Sequence, residues 1–273
     1  MHSTDFEFAD KRLSDFGWTT CVIGGNSGTE EVNIGCDITF NTVKNNHSSI
    51  HSSTSSSYDS VYTTPFHITK KDCNGENKYP THDEIRVLYK WLNRRKYAKF
   101  KPVPDKDEYY DVHYFGSFNI QEVFVAGRII GLTLNFTGNA PYGFGEDNQF
   151  NITTSEANET FSIYGDSDEI DSIIYPKVEI TCLQDGDLKI TNLTTESYIF
   201  VRNCLAGEVI TLDGEYGIQI TSMSNEHTTF SSDFNYSYLD IEVGEDDGYE
   251  NEYEVSMPCE IIITYSPIRK VGV

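Results

Sequence analysis

Several groups of residues have the types and spacing that chemistry would need. His47 and His51 stand four apart and could share a metal on a helix, but they sit in the Ser-rich tract "NNHSSIHSSTSSSYDS", where a helix is not expected and no carboxylate adjoins them. Asp166, Asp168, Glu169 and Asp171 in "YGDSDEIDS" begin like a calcium loop. Ile170 then takes the fifth position and Asp171 the sixth, where an EF-hand requires Gly, so that motif fails. The run "GGNSGT" lacks the Lys of a phosphate-binding loop, and Thr29 stands where a nucleophile elbow would place its last Gly after Ser27. The acidic run "EVGEDDGYENEYEV" offers carboxylate pairs of the kind a glycosidase uses. In a chain with 43 acidic residues such pairs arise by chance, and the run is expected to be a solvated loop. Cys21, Cys36, Cys73, Cys182, Cys204 and Cys259 show no CxxC spacing and are expected to be buried thiols. No nucleophile and base can be paired, so no catalytic, cofactor-binding or metal-binding residue is assigned and no enzyme is expected.

The elements that surround these residues are mostly strands. A chain of 273 residues with 18 Tyr and 16 Phe but 2 Trp suits half-buried pleated surfaces better than long helices. "GWTTCVIG", "CDITFNTV" and "VYTTPFHITK" carry strand chemistry, and the Ser-rich tract between them has the composition of a flexible loop, with a hairpin arm as the competing reading. Ile130, Leu132, Leu134 and Phe136 alternate with small and polar residues, the period of a strand with one buried face. Beyond the turn-rich "NAPYGFGEDN", short strand-like segments such as "KVEITC", "EVITLD" and "PCEIIITYSP" recur at roughly ten-residue spacing, which favours a sandwich or jelly roll.

One segment breaks this pattern. "THDEIRVLYKWLNRRKYAKF" predicts a helix over 82–96, with Thr81 as N-cap and Glu84 completing a capping box. Ile85, Leu88, Trp91 and Leu92 would form its core stripe, and Arg86, Lys90, Arg94, Arg95 and Lys96 a cationic outer face. From residue 81 to 101 there are 7 basic and 2 acidic residues, within a chain whose net charge is −23. Residues 1–140 hold 15 Lys or Arg against 17 Asp or Glu, whereas 141–273 hold 5 against 26. That shift points to two domains, 1–140 and 141–273, and the acidic half lacks the basic face that a nucleic-acid reader needs. No run approaches the length and apolarity of a membrane span, and the N-terminus has no signal-peptide core, so a cytoplasmic origin is expected.

The order of these elements carries a resemblance. A strand-rich start, then "THDEIRVLYKWLNRRKYAKFKPV", then "YYDVHYFGSFNIQEVFVAGRIIGLTLNFTGNAPYGFG", resembles the N-terminal domain of the distal tail protein family of long-tailed bacteriophages. "GEVITLDGEYGIQIT" and a late "PCEIIITYSPI" resemble that family's C-terminal sandwich. The resemblance implies a mainly β fold with a small α insertion: a β-sandwich-like ring domain with one helix, then an antiparallel sandwich or jelly roll similar to galectins and carbohydrate-binding modules. It also implies a structural virion protein at the tail tip, assembled in the bacterial host cytoplasm. There a homo-hexameric ring would join the tail tube protein to a tail-associated lysin or baseplate hub protein, with DNA passing through without specific binding. The basic helix face would then meet a neighbouring subunit or the tube. The alternative is a carbohydrate-binding module that recognises host cell-wall glycan, with Tyr-rich loops such as "FNYSYLD" stacking on sugar.

Overall fold

The computed structural model describes residues 5–21, 37–44, 49–57, 61–71, 76–103, 112–170, 172–213, 220–222, 227–245 and 249–270. The chain divides into two compact units, Met1–Phe144 with Arg269–Val273, and Gly145–Ile268. By contacts the boundary between the units falls at Phe144/Gly145, and the chain returns to the first unit at Arg269.

The first unit contains β1 (Asp5–Phe8), β2 (Lys11–Arg12), a 3-10 turn (Leu13–Phe16), β3 (Trp18–Thr20), β4 (Asp37–Lys44), β5 (Ser49–Ser57), β6 (Thr63–Lys71) and β7 (Asn77–Lys78). Helix α1 (His82–Leu92) follows, then β8 (Ala98–Val103), β9 (Tyr114–Val125), β10 (Arg128–Gly138) and β11 (Gly143–Phe144). Eight of these strands form one antiparallel sheet in the order β2-β1-β8-β9-β10-β6-β3, with β7 also on β6. In a flat sheet β1 and β6 would stand roughly 19 Å apart, four strand spacings. Yet the rings of Phe6 on β1 and Phe66 on β6 lie 5.9 Å apart. The sheet therefore curls until its two wings face each other, the single-sheet version of a sandwich. Between the wings sits an aromatic core of Phe6, Phe8, Phe66, Phe100, Phe118 and Phe136.

The alternation on β10 holds at Leu132, Leu134 and Phe136, which are buried. It fails at Ile130, which is half-exposed because the pairing with β9 shifts register between Ile129 and Gly131. A bulge of this kind turns one side chain off its face. The Ser-rich tract is not a loop: β4 and β5 pair as an antiparallel hairpin, so the competing reading prevails. Backbone ladder bonds do not depend on apolar side chains, which is why composition alone misjudged it. His51 lies in β5, and His47, Cys36, Cys73, Asp171 and "GGNSGT" lie outside the described residues.

The second unit holds β12 (Asn148–Thr154), β13 (Glu159–Gly165), β14 (Ile173–Ile174), β15 (Lys177–Cys182), β16 (Gly186–Asn192), β17 (Tyr198–Cys204), β18 (Val209–Asp213) and β19 (Ile220–Ser222). A one-turn helix α2 (Phe230–Asp233), β20 (Ile241–Glu242), β21 (Tyr249–Val255), β22 (Cys259–Tyr265) and β23 (Ile268–Arg269) complete the chain. A five-stranded sheet, β12-β22-β15-β18-β19, and a four-stranded sheet, β13-β21-β16-β17, enclose one core that includes Val178, Ile190, Val201, Ile210, Val255 and Ile261. The expected solvated loop "EVGEDDGYENEYEV" is largely strand: β21 buries Asn251, Tyr253 and Val255 and turns Glu250 and Glu252 outward. The alternation was present in the sequence, beneath the acidity.

Gly116 on β9 marks a tight approach in the first unit. A Cβ there would stand 2.4 Å from the Phe136 ring and 2.4 Å from the Thr137 carbonyl oxygen. Gly116→Ala is expected to destabilise the chain by at least about 1–3 kcal/mol, the range for overpacking a full core, measured by denaturant unfolding. An unchanged midpoint would mean the two strands separate more easily than this packing implies.

Candidate functional site: the cationic helix face and the β9–β10 tip

Helix α1 begins as its sequence dictates. Glu84 N–H donates to Thr81 Oγ1 at 3.3 Å, and Thr81 N–H donates to Glu84 Oε2 at 2.8 Å, so each satisfies a backbone donor the helix leaves orphaned. Glu84 Oε1 also meets Lys70 Nζ at 2.9 Å, pinning the first turn to β6. The Thr81 N–H bond and the Lys70 ammonium hold the Glu84 carboxyl well below the usual carboxylate range, at about 2.

The apolar stripe is consumed by the unit itself. Ile85, Leu88, Trp91 and Leu92 are all buried. Trp91 contributes most: its indole N–H donates to the Phe8 carbonyl at 2.7 Å, and its ring stacks on Phe16 at 4.5 Å and on Phe6 at 6.0 Å. The helix stops at Leu92 rather than at 96. Asn93 leaves helical geometry at φ −84°, ψ 86°, and the Arg94 side chain folds back so that its Nε–H donates to the Trp91 carbonyl at 2.8 Å. Of the five predicted surface cations, Arg86 and Lys90 are therefore helical, while Arg94, Arg95 and Lys96 lie in the turn that follows. All five side chains are exposed, and no ion pair engages Arg86, Lys90, Arg95 or Lys96 among the described residues. Lys90, in the last turn, also complements the negative end of the helix dipole.

Composition did not single out a second surface. β9 and β10 pair with each other from Gly116↔Gly138 out to Val125↔Arg128, but β8 reaches β9 only at Tyr114–Gly116 and β6 reaches β10 only from Leu132. Their far end is a two-stranded ribbon turning through Ala126 (φ 50°) and Gly127 (φ 76°). Phe124 and Val125 on that tip are 57% and 55% exposed, a pair of large apolar side chains with nothing of their own unit to cover them. The alternative glycan-stacking loop is mostly internal: Phe234 is buried, Tyr238 half-buried, and Tyr236 alone of its rings is exposed. Among the described residues no helix is long and apolar enough to cross a membrane.

Two sequence profiles match most of the chain: a phage tail protein N-terminal domain over residues 1–140 and a phage tail C-terminal domain over 142–265. A comparison with curated proteins finds no match. Among solved structures, the fold is similar to that of the Dit protein of phage SPP1, described as a paradigm of the hub adsorption apparatus in phages infecting Gram-positive bacteria. The TM-score is 0.59 at 12% identity, covering 96% of this chain and 98% of that one. A chain of the phage P2 baseplate in its activated conformation with Ca aligns at TM-score 0.49 and 8% identity, covering 96% of this chain and 97% of the other.

Two outcomes test the helix anchor. Thr81→Ala removes one half of the capping box and should cost about 1 kcal/mol, read as a lower unfolding midpoint with unchanged far-UV spectrum. Glu84 is held below its ordinary 4.5, so its contribution is complete above that pH and is lost as pH falls toward 2. The stability gap between wild type and Glu84→Gln should accordingly close over that window in a pH series of melting temperatures. A gap that stays constant would show that the carboxylate charge is not what holds the turn.

Proposed function

This chain belongs to the phage tail protein family, and we propose that it serves there as the distal tail hub, a structural ring joining the tail tube to the tail-tip or baseplate proteins. The observation that carries the reading is the likeness of the whole two-domain chain, covering 96% of it, to the SPP1 Dit fold. A ring of identical copies makes head-to-tail contacts, so each copy needs two different surfaces that fit each other. The first unit offers a cationic helix face and an apolar ribbon tip, both uncovered by their own unit. Arg86 and Lys90 sit on a rigid helix, where a neighbour's carboxylates can meet them at fixed geometry, and Phe124 and Val125 supply apolar area of the kind that fills a partner's pocket.

Six copies close the proposed ring around a channel. An acidic protein suits a conduit for DNA, because cationic walls would retain the passing phosphates. The ring's neighbours would be the tail tube protein on one side and a tail-associated lysin or baseplate hub protein on the other. No catalytic step enters this role, and its place is the virion tail tip.

Purified tails labelled with antibody against the full chain should carry label at the distal tip, and tails without the protein should lack tip structures; label along the tube would exclude a hub. For the surface, Arg86→Glu with Lys90→Glu should leave the melting temperature within a degree or two. The assembled species, near six times 31.0 kDa, should shift toward single subunits at low salt. Sedimentation identical to wild type would remove this face from the interface.

A further inference from the structure

The second unit contains a cluster that the tail role does not use. Cys204 ends β17, Glu208 sits in the tight turn before β18, and His227 lies just ahead of α2. All three are buried, and one sulfur, one carboxylate oxygen and one ring nitrogen lie within 4.8 Å of one another. Cys182, the last residue of β15, is buried beside Cys204 and brings a second sulfur. We propose that Cys204, Glu208 and His227 form a site for a zinc-like divalent metal ion, and that the Cys182 sulfur, just outside that group, is drawn in as fourth ligand when the ion binds.

The donor set is one that borderline-soft ions take: thiolate sulfur, imidazole nitrogen and a single carboxylate oxygen. Tetrahedral coordination at ordinary zinc distances places nitrogen and oxygen ligands about 3.3 Å apart. His227 Nδ1 and Glu208 Oε1 stand 3.0 Å apart, so a small outward movement admits the ion in place of the proton they otherwise share.

The surrounding bonds supply the second observation. His227 Nε2 faces Asp233 Oδ2 at 3.0 Å, and Thr229 Oγ1 donates to the same oxygen at 2.6 Å. That carboxylate fixes the ring with Nδ1 turned toward the sulfurs and Glu208, the outer-shell arrangement that metal-bound histidines show. Glu208 is oriented in the same way, its Oε2 accepting the Leu205 N–H at 2.9 Å and leaving Oε1 to point inward. The turn that carries it is locked to β15 by two backbone bonds, Gly207 N to Cys182 O at 2.7 Å and Cys182 N to Glu208 O at 2.9 Å. Cys182 belongs to the five-stranded sheet and Cys204 to the four-stranded one. An ion held by both would staple the two layers and the α2 segment together at one end of the sandwich, where the binding free energy becomes folding free energy.

The test uses the full chain, purified under reducing conditions. Native mass spectrometry of zinc-supplemented protein should show one ion per chain, and stripping it with a chelator should lower the melting temperature. Cobalt in its place should give a thiolate-to-cobalt charge-transfer band that is weakened in Cys204→Ala and in Cys182→Ser and absent when both are replaced. If those variants fail to fold, X-ray absorption on the wild-type zinc form decides: sulfur together with nitrogen or oxygen neighbours is expected. An all-oxygen shell, no stoichiometric metal with a melting temperature indifferent to zinc and chelator, or a Cys182–Cys204 disulfide in the reduced preparation would each overturn the site.

Discussion

The first unit is organised around the ring of Phe6. It lies within 6.0 Å of the rings of Phe66, Phe100, Phe118 and Trp91, which come from three other strands and the helix. That contact is possible only because the sheet curls, and the curl persists only because the space it encloses is filled with side chains of this size. Aromatic pairs at such tilted and offset geometries add to area burial rather than merely filling volume. The unit thereby gains a closed core from a single sheet, and its short ends β2, β3 and β7 leave little edge for unintended pairing.

The display of the cationic face follows from the same packing. A helix of 11 residues is marginal by itself in water, so α1 exists because its stripe is buried and its first turn is capped and tied to Lys70. Trp91 links the two levels: its ring extends the aromatic core and its N–H occupies a carbonyl of β1. With the apolar side fully used at home, what the helix offers outward is charge. The ribbon tip offers exposed apolar area at Phe124 and Val125 beside a single cation, Arg128, so the two outward surfaces of the unit differ in kind. A cationic surface of this sort acts over about 8 Å at physiological salt and sets orientation and encounter rate, while apolar contact resists dissociation.

How much of this was legible depended on whether the signal was local. The capping box of Thr81 and Glu84 and the stripe of Ile85, Leu88, Trp91 and Leu92 span adjacent turns, and the folded chain shows both. The helix end was misplaced because Arg94, Arg95 and Lys96 are good helix formers; what stops the helix is the geometry at Asn93 and a side chain turning back on Trp91, neither of which propensity records. In β21, outward glutamates disguised an alternation that Tyr253 and Val255 nevertheless carried. The Ser-rich hairpin was obscured for a related reason, since its ladder is made by the backbone. The cluster of Cys182, Cys204, Glu208 and His227 could not be found by spacing at all, because its members come from two sheets and two loops and meet only after the sandwich closes.

The acidity of the second unit can now be given a structural form. On β21 Asn251, Tyr253 and Val255 face the core and Glu250 and Glu252 face water, so the charge is carried on the outer face of a strand whose inner face is packed. Alternation makes this cheap, since a solvated carboxylate on the outer face of a sheet gives up little hydration, and the repeated charge discourages face-to-face stacking of copies. In the proposed ring the same means would conflict with assembly through the first unit, because a surface that fits a copy of itself cannot repel that copy. Near-balanced charge with one concentrated cationic face is the arrangement that keeps attraction local, and it leaves long-range repulsion to the half of the chain that carries the 26 acidic residues.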